Sequence, residues 1–167
     1  MIETENFTLV PTSKDDLDIY RELLTCSVVT RYLPSGKPYT DEQIHTNIKN
    51  RIAHWAKHGF GTFTVLDKAD DSKKLGYVGV EESPDPTIFE IRYAILPETQ
   101  GRGVAQEAAK ACLAFTFEKS KLSKIYGVAV NQNFASIRVL EKLGMHPEPD
   151  INFYGFDELV YFSISKH

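Results

Sequence analysis

The sequence predicts an α/β (α+β) fold: a mixed, mostly antiparallel sheet of about six to seven strands flanked by helices. Three observations carry this. The apolar pattern alternates between the helical period and the two-residue strand period along the chain. Capping boxes and glycine stops delimit the helical stretches. One strand–helix–strand crossover, around residues 89–130, requires a parallel pair, whereas the other strands read as hairpin-like neighbours. The 167 residues contain no repeat, low-complexity tract or linker, so one domain over residues 1–167 is expected.

The elements follow in order. Phe7–Val10 reads as a short strand stopped by Pro11. Ser13 with Asp16 is a capping box with Asp in place of Glu, and Leu17, Tyr20, Leu23 and Leu24 mark one helical face. "RYLPSGKPYT", residues 31–40, is a loop whose Tyr32, Leu33, Pro34 and Tyr39 either wall a small pocket or pack inward. Thr40 with Gln43 opens a longer helix with the stripe Ile44, Ile48, Ile52 and Trp55, closed by Gly59. "GTFTVLD" and "LGYVGVEE" flank the polar turn "KADDSKK" as a hairpin. "FEIRYAIL" is the fourth strand, Val104–Lys119 a helix free of Pro and Gly, and "KIYGVAV" (Lys124–Val130) the fifth strand. Asn133–Leu143 is a short helix closed by Gly144, and "INFYGF" with "LVYFSIS" forms a terminal hairpin.

Composition excludes several classes. At a net charge of −4, bulk electrostatics repels nucleic acid and mildly favours a cationic acceptor or partner. "MIETENFTLV" is acidic and has no apolar core of a signal peptide, and no run of about eighteen apolar residues exists. A cytoplasmic chain with no membrane partner, monomer or homodimer, is expected. Cys26 and Cys112 have no metal-ligand spacing and read as buried thiols. The five histidines, His45, His54, His58, His146 and His167, are too irregularly placed for a metal site and are expected at the surface.

"PETQGRGVAQEAAKA", residues 97–111, places Gly-Arg-Gly where a strand hands over to a helix. Such a turn leaves bare N–H groups at a helix N-terminus, which is an anion site. An ATPase-type phosphate loop needs Lys and Ser/Thr after its last glycine, and here Val104 and Ala105 follow Gly103. A dinucleotide fingerprint needs a third glycine, and Gln106 stands there. The two glycines alone also fit a tight turn without a ligand.

The longer run "EIRYAILPETQGRGVAQEA", with Gln100-Gly101-Arg102-Gly103-Val104-Ala105 at its centre, resembles the acetyl-CoA-binding segment of the GNAT superfamily of N-acetyltransferases. "NQNFASIRVLEKLGM" resembles a second segment of the same superfamily, in the branch that acetylates the N-terminal residue of ribosomal proteins (the Rim-type enzymes), with Met145 where Phe is usual. The resemblance implies a GNAT-like fold whose central parallel strands, "FEIRYAIL" and "KIYGVAV", splay apart to admit the cosubstrate. It implies that residues Gly101, Arg102, Gly103, Val104, Ala105 and Gln106 meet the pyrophosphate of acetyl-CoA. It places Tyr93, Ala94 and Ile95 along the pantetheine arm, with Asn133 bonding that arm or capping its helix. No metal is implied.

The same resemblance points to Glu90 as general base and Ser136 as the donor to the departing thiolate. Glu81 and Glu82 are alternatives to Glu90, and Tyr154 is a reserve for the donor. Many superfamily members carry a Tyr donor seven residues after the Asn; Leu140 stands there. Arg92, where the branch has Gly, shares a strand face with Glu90 and is placed to pair with it. The implied activity is direct acetyl transfer to a primary amine, foremost a peptide or protein N-terminal α-amino group. Small amines (a polyamine, an amino acid, an antibiotic) are alternative acceptors, and a non-catalytic acyl-CoA sensor is the alternative from another class.

Overall fold

The computed structural model describes residues 1–167. In chain order the elements are β1 (Ile2–Glu3), β2 (Phe7–Pro11), α1 (Leu17–Leu24), α2 (Ser27–Thr30), α3 (Asp41–His58), β3 (Thr62–Asp67) and β4 (Asp70–Glu82). They continue as β5 (Phe89–Ile95), α4 (Val104–Lys119), β6 (Lys124–Val130), α5 (Phe134–Lys142), β7 (His146–Pro147) and β8 (Leu159–Ser165). All eight strands form one sheet, ordered β1-β2-β3-β4-β5-β6-β8-β7, and only β5 and β6 pair in parallel.

The sheet thus exceeds the expected strand count. β1 and β7 are two residues each, too short to show an alternation. "INFYGF" is not a strand. Asn152 Oδ1 accepts the Gly155 N–H at 3.0 Å, and Gly155 sits at φ +81°, which turns the chain. Phe153 packs its ring on Tyr126 and Tyr161, so the aromatic run serves packing rather than a ladder. β8 pairs instead with β6 and β7.

Both capping boxes form. Asp16 accepts the Ser13 N–H at 2.9 Å and opens a 3-10 turn that runs into α1. The same carboxylate, buried, accepts the Thr64 hydroxyl at 2.8 Å and pairs with Lys74 at 3.2 Å, which pins the start of α1 to the sheet. Along α3 the inward stripe is Ile44, Ile48, Arg51 and Trp55, and Ile52 is exposed. At about 100° per residue, the seventh residue on falls about 20° from Ile44 and the eighth about 80° away. A charged residue therefore occupies the position that apolarity alone assigns to Ile52.

Two apolar layers cover the sheet. One face carries α4 and α5, with Ala108, Cys112 and Leu140 against Val78, Val80 and Ile91. The other carries α1 and α3, with Tyr20, Leu23 and Ile44 against Tyr77 and Ala94. Leu33 and Tyr39 of the 31–40 loop pack inward against this second layer. No helix is long and apolar enough to cross a membrane.

Close approach of β3 and β4 demands glycine at position 79. A Cβ there would collide with the Thr62 backbone and side chain across the ladder. Gly79→Ala is expected to destabilise the fold by about 1–3 kcal/mol, as overpacking does. A chain of this size then loses roughly 2–4 °C of melting temperature per kcal/mol. Thermal unfolding followed by circular dichroism checks this, and an unchanged melting temperature would refute it.

Candidate active site

The parallel ladder between β5 and β6 holds two residue pairs, Glu90↔Tyr126 and Ile91↔Gly127. β5 stays paired to β4 as far as Ile95, and β6 stays paired to β8 throughout. From Arg92 onward the two parallel strands part, and Tyr93, Ala94 and Ile95 present a backbone edge with no strand partner towards β6. An extended chain can take up such an edge.

The helix α4 starts just after this opening. Gly101 and Gly103 adopt φ +90° and +67°, a region that favours glycine, and no protein atom lies within 4 Å of a Cβ built on either. Gly103 supplies no side-chain cap, and the first intrahelical bond runs from Glu107 N–H to Gly103 O at 3.0 Å. The N–H groups of Gly103, Val104, Ala105 and Gln106 are left without partners in the chain. Open space, bare donors and the positive end of the helix dipole converge here. The Glu107 carboxylate is turned away, accepting from the Thr4 hydroxyl and the Asn6 backbone and side chain at 2.6–2.8 Å. The Arg102 guanidinium pairs with Asp67 at 3.1 Å over the Phe7 ring, and the Arg102 N–H donates to the Thr99 carbonyl at 3.3 Å, so both are engaged within the chain.

A second helix start, that of α5, closes the other side. Asn133 Oδ1 accepts the Ser136 N–H at 3.3 Å, which leaves the Asn133 amide donors unengaged. Capping and arm-binding are thus compatible roles for one side chain. The Tyr93 hydroxyl lies 2.8 Å from Ser136 Oγ and 3.2 Å from the Ser136 carbonyl, tying β5 to α5. Burial pushes the Tyr93 phenol up to about 12, against the lowering effect of its Ser136 contact. Leu140 is fully buried in the core.

Glu90 points to the opposite face of the sheet, into a file of alternating charges. Arg51 Nη1 meets Glu81 Oε1 at 2.6 Å, and the Thr62 hydroxyl donates to Glu81 Oε2 at 2.8 Å. Arg92 Nε donates to Glu90 Oε1 at 2.8 Å, and Arg92 Nη2 donates to the Glu82 carbonyl at 3.0 Å. The Tyr154 hydroxyl donates to the same Glu90 Oε1 at 2.6 Å. Glu90 Oε2 is buried with no hydrogen-bond partner, although Glu90 as a whole is only 4% exposed. An unpartnered buried carboxylate oxygen is uncommon, and Arg51 Nε in the same file is likewise unpartnered.

Electrostatics lock the rest of the file. Burial works against the Arg51 charge, but Glu81, Tyr20 and Tyr77 outweigh it and hold its pKa above the ordinary value. Burial and the Glu90 charge raise the Tyr154 phenol, so it stays protonated as a donor. Of the alternative bases, Glu81 is held by Arg51 and Thr62, while Glu82 is held by Lys57 at 2.9 Å and His58 at 2.6 Å.

His54 and His58 depart from the surface placement expected of them. The Glu82 N–H donates to His54 Nε2 at 3.1 Å, and His54 Nδ1 lies 3.0 Å from the Phe60 carbonyl, which fixes a neutral tautomer. Burial lowers the His54 pKa accordingly. Their four-residue spacing in α3, level with Arg51 and Trp55, turns both partly inward. No group of three or more His, Cys, Asp or Glu side chains is placed to hold a metal ion.

Residues 6–146 match the family model of the acetyltransferase (GNAT) domain. The chain belongs to the GNAT acetyltransferase family. It is 31% identical over 128 residues to the uncharacterized protein YkkB of Bacillus subtilis, covering 75% of this chain and 71% of that protein. Its fold is that of an acetyltransferase from Agrobacterium tumefaciens, with a TM-score of 0.87 at 24% identity over 99% of this chain and 94% of the other. It is also that of spermidine N-acetyltransferase from Vibrio cholerae solved with CoA and spermine, with a TM-score of 0.78 at 21% identity over 97% and 96% of the two chains. The protein is therefore an acyltransferase, an acetyl-CoA-dependent N-acetyltransferase of the GNAT family. The bare N–H cradle at α4 and the open edge of β5 fit the pyrophosphate and the amide-bearing arm of that cosubstrate.

Proposed function

We propose that residues 1–167 act as one domain that transfers the acetyl group of acetyl-CoA directly to the α-amino group of a peptide or protein N-terminus. The observation that supports this acceptor is the charge balance of the centre. Arg51, Glu81, Arg92 and Glu90 sum to zero, and each carboxylate already has a guanidinium partner. Of the buried oxygens of these two carboxylates, Glu90 Oε2 is the one without a partner. One amine can be received there, whereas a polycation would find no second unpaired carboxylate in the file. Basicity points the same way. An α-amino group of pKa near 8 is about one-tenth neutral at pH 7, a handicap of about 1.4 kcal/mol. A lysine-like or polyamine nitrogen near pKa 10.4 is about 0.04% neutral, a handicap of about 4.6 kcal/mol, and demands a stronger base.

In this reading the pyrophosphate lies in the turn Gly101–Gln106, chiefly on the bare N–H groups of Gly103, Val104, Ala105 and Gln106, and the arm lies along Tyr93, Ala94 and Ile95 within reach of the Asn133 amide. The thioester enters the gap between β5 and β6. The amine reaches Glu90 Oε2 past Tyr154, which is carried by irregular backbone between β7 and β8. Nitrogen attacks the thioester carbonyl, its proton passes to Glu90 Oε2, and the C–S bond breaks with its electron pair on sulfur. Ser136 donates to the departing thiolate. No enzyme thiol takes part: Cys112 is buried in the core, and burial pushes it up to about 12.

Thiol release from acetyl-CoA, measured on peptides with free N-termini and on spermidine, tests the assignment. The peptide series is expected to give a kcat/KM at least about tenfold above that of spermidine, a gap of about 1.4 kcal/mol. A preference for spermidine would assign the chain to polyamines. Tight acetyl-CoA binding without thiol release on any amine would make it a sensor.

A further inference from the structure

We infer that Tyr93 is a positioning residue for the leaving group: its hydroxyl aims and polarises the Ser136 hydroxyl, which holds the CoA thiolate. This rests on the acetyltransferase reading above and adds a side chain to it. Two hydroxyls 2.8 Å apart share two hydrogens, and a third oxygen, the Ser136 carbonyl, lies 3.2 Å from the phenol. Two arrangements satisfy this geometry. In the first, Tyr93 donates to the Ser136 carbonyl and Ser136 donates to Tyr93, so both hydrogens are used inside the protein. In the second, Tyr93 donates to Ser136 Oγ, and the Ser136 hydrogen is free to point elsewhere. An anion beside Ser136 selects the second arrangement, because the hydrogen then turns outward and the phenol makes Ser136 a better donor.

The surroundings fit an anion. Ser136 lies in the first turn of α5, where the helix dipole favours negative charge, and the Asn133 cap fixes that turn. Tyr93 belongs to the stretch of β5 that has parted from β6, so the pair stands beside the gap through which a thioester would pass. With its pKa pushed up to about 12, the phenol does not ionise at neutral pH and remains a hydrogen-bond donor. No proton is transferred in this step. As the C–N bond forms, the C–S bond breaks and its pair goes to sulfur; the hydroxyl pair turns to stabilise that charge. The amine proton goes to Glu90 on the other face.

The test is the ionisation of the thiol of CoA bound to the intact protein, followed by thiolate absorbance across pH. In the wild type the bound thiol is expected to titrate at least about one pH unit below free CoA, a tenfold preference for the thiolate. Ser136→Ala should return it to the free value, and Tyr93→Phe should return it most of the way, with CoA affinity largely kept at pH 7, where the free thiol is protonated, and a modest fall in melting temperature from the lost Ser136 contacts. In turnover, Tyr93→Phe should lower kcat about 10- to 100-fold, as loss of a hydrogen bond supporting a charge does, and leave KM for acetyl-CoA in place. A thiol that titrates in Tyr93→Phe as in wild type overturns the inference, and so does a wild-type complex with no shift. Those results leave the acetyltransferase reading standing. Failure of the wild type to bind CoA would overturn that reading instead, and this one with it.

Discussion

Gly103→Glu abolishes acetyl-CoA binding while the chain stays folded; this is the largest effect expected at the cosubstrate site. Gly103 stands at φ +67°, ψ +24°, and nothing lies within 4 Å of its missing Cβ. The substitution therefore disturbs no packing. It costs the left-handed backbone penalty of roughly 1–2 kcal/mol and adds a carboxylate beside bare N–H groups that serve an anion. A rise in Kd of at least about 100-fold, or about 2.8 kcal/mol, is expected from calorimetry. Gly103→Asn is the informative control, since Asn tolerates this backbone region and brings no charge. It should bind within about tenfold of wild type. A folded Glu variant that binds as tightly as wild type would move the pyrophosphate elsewhere.

Glu90→Gln is the second large effect. Gln keeps the size of the side chain and can still accept from Tyr154 and Arg92 on its carbonyl oxygen, but it takes no proton at neutral pH. General-base assistance is typically worth about 10²- to 10⁴-fold, and the loss in kcat/KM at pH 7 should fall in that range. Arg92 keeps the Glu82 carbonyl and stays near Glu81, so a folded variant is expected, with a lowered melting temperature. If Glu90 served structure alone, the melting temperature would fall and kcat/KM would not.

What the sequence disclosed is what is written locally in it. The bounds of α4 and β6 are readable to the residue because Gly103 stops one pattern and "KIYGVAV" starts another. The cradle is legible for the same reason, since its glycines and its helix are contiguous. Arg51 is not legible because apolarity marks inward helical positions and a buried charge does not follow it, and its partner Glu81 lies thirty residues on in the chain. The Tyr93–Ser136 contact spans 43 residues and exists only once the parallel register brings α5 beside β5. "INFYGF" misleads because aromatic residues favour strands and also pack on them. Here they cover Tyr126 and Tyr161 while Gly155 turns the backbone.

The central step is the loss of an amine proton to Glu90 as acetyl-CoA is consumed. The ratio of wild-type to Glu90→Gln kcat/KM on the best N-terminal peptide, measured from about pH 7 to pH 9, tests that most directly. An α-amino group of pKa near 8 becomes mostly neutral across this interval and needs the base less. The ratio is predicted to be largest near pH 7 and to shrink steadily towards pH 9. A ratio near one at every pH would contradict the assignment and remove Glu90 from the reaction.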